Sequence, residues 1–283
     1  MTLRLIDTFS GIGGFSYAAE KLVGGFKTVA FVECEPFCQK VLKKHWPDVP
    51  IYEDIRTYNP EPYSADVISG GFPCQSISNA GKREGITETS QSGLWYELYR
   101  VICLLRPRYV VLENVSAILS RGLGIVLGNL AEAGYDCEWC CIPATYIGAC
   151  HQRDRIWIIA YNQSERTGEY KSRLRGQSER RDLQTDRDTN QKIPTVTDSN
   201  GERLEGQIGT RIPRSIWWEG TPASRRLNPN WSEYASKPVL CRGDDGLSNR
   251  VHRLKALGNS IVVQVAAIPL QRVLDLEKLT ASA

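Results

Sequence analysis

The sequence predicts an α/β fold built on a parallel, doubly wound sheet. Three observations predict it. Short apolar runs alternate with stretches of helical spacing from Leu3 to Ala160, the order expected of strands joined by crossover helices. A glycine-rich turn, Gly11-Ile12-Gly13-Gly14, follows the first apolar run at once. Hydrophobic residues make up 41% of the 283, enough for a sizeable core.

Leu3 to Asp7 reads as the first strand, and Phe15 to Leu22 continues past the glycine turn as a helix. Val29 to Val32 is a second strand ending in Glu33, with Pro36 to His45 as its helix. A third strand precedes Asp54 in "YEDIR". Val67 to Ser69 is a later strand, stopped by Gly70-Gly71, and Leu94 to Leu105 is a helix. Tyr109 to Leu112 is another strand, followed by a helix over Leu123 to Ala133. Cys137 to Pro143 and Ile156 to Ala160 complete the series.

The texture changes after Tyr161. Residues 162–200 hold Tyr170, Leu174, Leu183, Ile193 and Val196 as their only large apolar groups, among charges of both signs. Such a stretch buries little surface by itself. Pro213, Trp217, Trp218, Pro222, Trp231 and Tyr234 follow, and apolar helical spacing resumes over Leu254–Leu276.

Nine cysteines, an odd number without a framework, suit a reducing compartment better than a disulfide scaffold. No run of about 18 apolar residues predicts a membrane helix, and Met1–Asp7 lacks signal-peptide architecture. A net charge of +3 excludes nothing, so nucleic-acid binding would have to be local.

Candidate chemistry gathers where strands end. In an open α/β sheet, working groups sit outside the carboxyl ends of the strands. Cys74, in "GGFPCQSIS", follows the Val67–Ser69 strand there, although a cysteine taken alone is more often a small buried hydrophobe. Glu113, in "ENV", ends the run Val110-Val111-Leu112; a carboxylate there with a raised pKa could act as an acid. Arg153 and Arg155, in "HQRDRIWIIA", would point the same way on an extended segment and suit an anion or a carbonyl oxygen. The first turn could bring backbone amides to a ligand, and Glu33, about twenty positions on, could accept bonds from ribose hydroxyls. The spacing is G-x-G-G, not the G-x-G-x-x-G of dinucleotide enzymes. Cys137 and Cys140 have C-x-x-C spacing, but on a strand their thiols would splay to opposite faces, which disfavours zinc.

Read in order, "DTFSGIGGFS", "VECEPFCQ", "GGFPCQSIS", "ENV", "HQRDRIWIIA" and "RLKALGNSIVVQVA" resemble the DNA cytosine-5 methyltransferases of the phage and restriction-modification kind. The likeness covers residues 3–160 and 225–276. RNA cytosine-5 methyltransferases vary the residues after Pro-Cys, so "PCQSIS" favours DNA. The resemblance implies a Rossmann-like AdoMet-dependent sheet with a small, irregular inserted target-recognition region. Residues 1–161 would be the catalytic domain, completed by 251–283, with 162–250 as the recognition region. It implies S-adenosyl-L-methionine as methyl donor, no metal, double-stranded DNA as partner, and a cytoplasmic monomer away from membranes. A cognate restriction endonuclease is left open.

By the same resemblance Cys74 is the thiolate that attacks cytosine C6, and Glu113 the group at N3. Arg155 would contact the base's O2 and steady Glu113, with Arg153 supporting the pocket. Covalent addition divides one hard step into two, and the base must leave the duplex to be reached. For the cofactor, Phe9 would stack near the adenine, with Ser10 and the turn Gly11, Gly13 and Gly14 beneath the methionine part. Glu33 would hold the ribose, and Asp54 and Ile55 match the adenine-contacting pair. Pro73 and Leu94 would line the methyl-donor side, and Asn259 and Ser260 would close the site. His151, where many members have Gln, and Cys150 and Val263, in place of prolines, depart from the pattern.

Overall fold

The computed structural model describes residues 2–73, 93–162 and 250–281. Strands β1 (Leu3–Thr8), β2 (Phe26–Val32), β3 (Ile51–Tyr52), β4 (Val67–Gly70), β5 (Tyr109–Val115), β6 (Tyr135–Ile142) and β7 (Arg155–Asn162) form one sheet. Their order is β3-β2-β1-β4-β5-β7-β6. Around it lie α1 (Gly14–Tyr17), continued by a π-helical turn over Ala18–Val23, and α2 (Pro36–His45), α3 (Leu94–Leu105), α4 (Ile118–Arg121) and α5 (Leu123–Glu132). A 3₁₀ turn covers Ala144–Ile147, and α6 (Arg250–Asn259) and α7 (Val263–Ala281) follow the long polar stretch.

Strand alternation divides the core in two. Ile6, Ile68, Val110, Leu112, Ile156 and Ile158 face Trp95, Leu98 and Ile102 of α3 and Val126 and Leu130 of α5. Their neighbours Leu5, Val67, Val111, Trp157 and Ile159 face Phe15, Ala18 and Ala19 and the apolar side of α7, Ile268, Leu270, Val273 and Leu276. Both faces are covered, so the central strands are apolar throughout rather than alternating.

The sheet is mixed, and this corrects the parallel expectation. The strands β3, β2, β1, β4 and β5 are parallel to one another. The last strand, β7, pairs antiparallel with both β5 and β6. A parallel return is usually made through a crossover helix; between Ile142 and Arg155 the chain holds only the short turn Ala144–Ile147. Glu113 also differs: β5 runs on to Val115, so Glu113 lies inside the strand, opposite Trp157.

The cysteines of β6 splay as strand geometry requires. Cys137 and Cys141 pack against the α3/α5 side, and Cys140 against the α7 side. Burial pushes the Cys137 and Cys141 thiols up to about 12. Among the described residues, no group of three or more His, Cys, Asp or Glu is placed to hold a metal ion.

The expected single helical run over Leu254–Leu276 is instead two helices, separated by Ser260–Val262. By length and composition alone Lys255–Leu279 would pass as long and apolar enough to cross a membrane. Its apolar residues from Val265 to Leu276 are spent on the sheet's second core. Polar pairs fix the same helix. Arg108 donates to both Glu277 oxygens at 2.9 and 2.6 Å, and the Tyr109 hydroxyl donates to Glu277 Oε2 at 2.8 Å. Arg272 grips Glu138 through Nε and Nη2 at 3.0 and 2.8 Å.

Candidate active site

The strand order reverses between β1 and β4, and ligands of open α/β sheets bind outside the carboxyl ends at such a switch point. The segments singled out in the sequence converge on this edge. The glycine turn leaves β1, Glu33 follows β2, Asp54 follows β3, and Gly71-Phe72-Pro73 leaves β4. Because β7 runs the opposite way, its first residue, Arg155, reaches the same edge opposite Val115.

The turn after β1 is built from left-handed backbone: Phe9 has φ 50°, Gly11 54° and Gly13 85°. Phe9 adopts it without glycine's freedom, a local strain of the sort found at ligand sites. Ser10 is locked by its hydroxyl, which donates to Asp7 O at 2.6 Å. Gly13 has no room for a side chain, since a Cβ would stand 2.7 Å from the Trp46 ring. A Cβ on Gly14 would stand 2.7 Å from Ile261 Cγ1, so this glycine admits the joint between α6 and α7. In contrast, a Cβ on Gly11 would meet nothing within 4 Å; the turn faces open space there.

Glu33 is buried beside this space. Its Oε2 accepts the Gly11 amide at 2.6 Å and its Oε1 the Glu35 amide at 2.8 Å. Each carboxylate oxygen keeps a second lone pair for a ligand. Asp54 is half-buried and turns its own loop, accepting the Arg56 amide at 2.9 Å; Ile55 is buried beneath it. Pro73 and Leu94 are half-buried on either side of residues 74–92. Cys74 itself lies outside the described residues, as do residues 163–249 of the region expected to read DNA, 162–250.

Glu113 and Arg155 meet as expected. Arg155 Nε stands 3.0 Å from Glu113 Oε1, with side chains 25% and 13% exposed. Burial pushes the Glu113 carboxyl up, and the Arg155 and Arg153 guanidiniums draw it part of the way back. A Cβ on Gly71 would stand 3.1 Å from Glu113 Oε2, so this glycine leaves the carboxylate its place against the loop that leads to Cys74. Asn114 ties that loop to β5, its Nδ2 donating to Phe72 O at 3.2 Å.

Arg153 is the correction at this site. Its backbone is left-handed, φ 33°, so it does not share an extended segment with Arg155. Its Nη2 turns instead to the carbonyls of Gly258 and Ser260, at 3.1 and 2.7 Å. It thereby holds the segment carrying Asn259, which is exposed, and Ser260, which is half-buried.

Asp7 was not among the candidates. It is fully buried, and accepts the Ser16 hydroxyl at 2.8 Å, the Ser16 amide at 3.2 Å and the Ser69 hydroxyl at 3.1 Å. It thus joins β1, α1 and β4 at the switch point. Burial pushes its carboxyl up to about 7, against the pull of those donors. The available signal was a lone carboxylate ending an apolar strand just before the glycine turn.

The fold and this edge define a Rossmann-like AdoMet-dependent methyltransferase architecture. The chain belongs to the C-5 cytosine-specific DNA methylase family, whose model it matches over residues 3–237. It is similar to the type II methyltransferase M.CviJI of Paramecium bursaria Chlorella virus IL3A, 37% identical over 164 residues, or 56% of this chain and 43% of that protein. It is likewise similar to M.HgiCII of Herpetosiphon aurantiacus, 29% identical over 227 residues, covering 76% of this chain and 51% of the relative. The chain therefore spans about half the length, or less, of these curated relatives. The solved methyltransferase EhMeth of Entamoeba histolytica shares the fold at a TM-score of 0.57 and 16% identity, over 97% of this chain and 98% of the other.

Proposed function

We propose that this chain is a DNA cytosine-5 methyltransferase. It moves the methyl group of S-adenosyl-L-methionine to C5 of a cytosine flipped out of duplex DNA, through a covalent bond between Cys74 and C6. The observation that carries the proposal is the Glu113–Arg155 pair, 3.0 Å apart at the switch-point edge and beside Gly71, three residues ahead of Cys74.

The residues present fit an adenosyl ligand. Open space fronts Gly11, and the Glu33 carboxylate stands at its side. Phe9, Ser10, Gly11, Gly13 and Gly14 would take the methionine part and one adenine face, Glu33 the ribose hydroxyls, and Asp54 and Ile55 the adenine edge. Pro73, Leu94, Asn259 and Ser260 would enclose the reacting end. When bound, S-adenosyl-L-methionine supplies an electrophilic methyl group on its sulfonium.

The chain's own residues prepare the base to receive it. Cytosine C5 is a poor nucleophile. The Cys74 thiolate adds to C6, and the electron pair displaced from the ring leaves C5 enamine-like. Glu113 delivers a proton at N3, in the direction that the burial of its carboxyl favours. Arg155 holds that carboxyl in place and offers a cation to the base's O2. After methylation a base takes the C5 proton, its electron pair expels the thiolate, and the N3 proton returns to Glu113, restoring the ring.

Residues 1–161 and 251–283 make one catalytic domain in this reading, and 162–250 the DNA-reading insertion. The Arg108–Glu277 and Arg272–Glu138 pairs, and the grip of Arg153 on residues 258 and 260, support it.

The test is transfer of tritiated methyl from S-adenosyl-L-methionine to duplex DNA, tRNA or no acceptor, with label expected on DNA alone. Label on tRNA and not on DNA would move the substrate to RNA. Duplexes carrying 5-fluorocytosine at the target should trap wild type covalently, because fluorine cannot leave as the proton does. Cys74→Ser should abolish transfer while S-adenosyl-L-homocysteine still binds, since a hydroxyl is far less ionised than a thiol near pH 7. Near-native turnover by that variant would refute the covalent route.

A further inference from the structure

Arg100, on α3, was not among the candidate site residues, yet its guanidinium is engaged on every nitrogen. Its Nε donates to Glu97 Oε2 on the same helix at 2.9 Å. The other two nitrogens reach across to the segment after β3. Nη1 donates to Asn59 Oδ1 at 2.7 Å, and Nη2 faces the carbonyls of Ile55, Arg56 and Tyr58 at 2.7, 3.0 and 3.1 Å.

That segment has little else to place it. It leaves a strand only two residues long at the edge of the sheet. Asp54 curls it by accepting the Thr57 and Tyr58 amides through its carbonyl, at 3.2 and 3.0 Å. Ile55 and Tyr58 root it in the core. Backbone carbonyls at the turn's end then need donors, and the two N–H groups of Nη2 are shared among three of them while Nε and Nη1 hold Glu97 and Asn59. A lysine could not do this, because its ammonium is a single point of charge that cannot reach both sides of the fork at once.

We propose that Arg100 is a positioning residue for the cofactor: it clamps the Asp54–Asn59 loop to α3, so that Asp54 stands at a fixed distance from the purine edge. Because α3 begins at Leu94, just after residues 74–92, the clamp joins the purine-reading loop to the helix that follows the Cys74 segment. The proposal rests on the reading of Asp54 as the adenine contact. An aspartate held there accepts from the 6-amino group of adenine and meets a repulsive carbonyl oxygen in the inosine analogue. The clamp therefore serves recognition of the purine, not merely the fold.

The test compares S-adenosyl-L-homocysteine with S-inosyl-L-homocysteine by calorimetry on the full chain. Wild type should prefer the adenosyl ligand. Arg100→Lys should weaken the adenosyl ligand about tenfold and the inosyl ligand much less, so the preference collapses. Asn59→Ala, at an exposed position, leaves α3 untouched and should lower the preference by a few-fold. Equal weakening of both ligands by Arg100→Lys, as from a general loss of structure, overturns the proposal, and so does an unchanged preference in both variants. Asp54→Ala separates the clamp from the reading beneath it. If Asp54→Ala loses the preference and Arg100→Lys keeps it, the clamp alone falls. If Asp54→Ala keeps it, Asp54 does not read the purine and the reading falls with the clamp.

Discussion

Removing the Glu33 carboxylate should strike both the cofactor and the turn that receives it. The group is 9% exposed, and its two oxygens hold the amides of Gly11 and Glu35 at 2.6 and 2.8 Å. In the proposed complex the free lone pairs accept ribose hydroxyls. A hydrogen bond to a charged group contributes about 1.5–3 kcal/mol, which is roughly 10–150-fold in affinity. Glu33→Ala also orphans two amides. Each would cost about 1–3 kcal/mol if wholly buried, and less here, where water can reach the turn. Glu33→Gln is the informative companion. Its one oxygen can serve only one amide well, and its NH₂ opposes the other donor, so it should weaken binding nearly as much as Ala does. Calorimetry with S-adenosyl-L-homocysteine measures the affinity, and thermal unfolding without ligand measures the turn separately. A Glu33→Ala protein with wild-type affinity would refute the ribose assignment, whatever its melting temperature.

Three further outcomes follow from the same geometry. Gly13→Ala places a Cβ at φ 85° and 2.7 Å from Trp46; left-handed strain of about 1–2 kcal/mol and overpacking of about 1–3 kcal/mol should lower the unfolding free energy by about 2–5 kcal/mol in urea titrations. Asp7, with its carboxyl pushed up to about 7, keeps a proton in the folded protein that the unfolded chain releases near pH 4. Its contribution is complete below about pH 4 and is lost as pH rises through about 7. Asp7→Asn should therefore gain stability relative to wild type between pH 5 and 8, and a constant gap in urea midpoints would contradict the shift. Replacing Arg173, Arg175, Arg180 and Arg181 with Ala should weaken DNA binding and flatten its salt dependence while S-adenosyl-L-homocysteine affinity stays the same. Unchanged methylation of the same sites would move sequence reading to residues 201–250 or to the Cys74 segment.

What the sequence determined by itself was local. Apolar runs with helical spacing between them placed the strands of the sheet within a few residues, because strand and helix periods are written in neighbouring side chains. The glycine turn and Glu33 were legible because they sit at strand ends, where an α/β sheet must present them; the Glu113–Arg155 pairing was implied only by the family resemblance. Tertiary structure decided the rest through contacts between residues far apart in the chain. The direction of β7 depended on a link that holds no crossover helix, and that direction delivers Arg155 to the edge where β5 carries Glu113. Arg153 turned from the extended segment expected of it to two carbonyls 105 and 107 residues away, a choice that no local spacing encodes. Asp7 and Arg100 look ordinary in sequence, a strand-end carboxylate and a helix charge. Their roles come from what surrounds them: three donors in a dry switch point for one, and a loop of unpaired carbonyls for the other. A polar side chain's task is set by which buried partners would otherwise go unsatisfied, and only the folded chain brings those partners within reach.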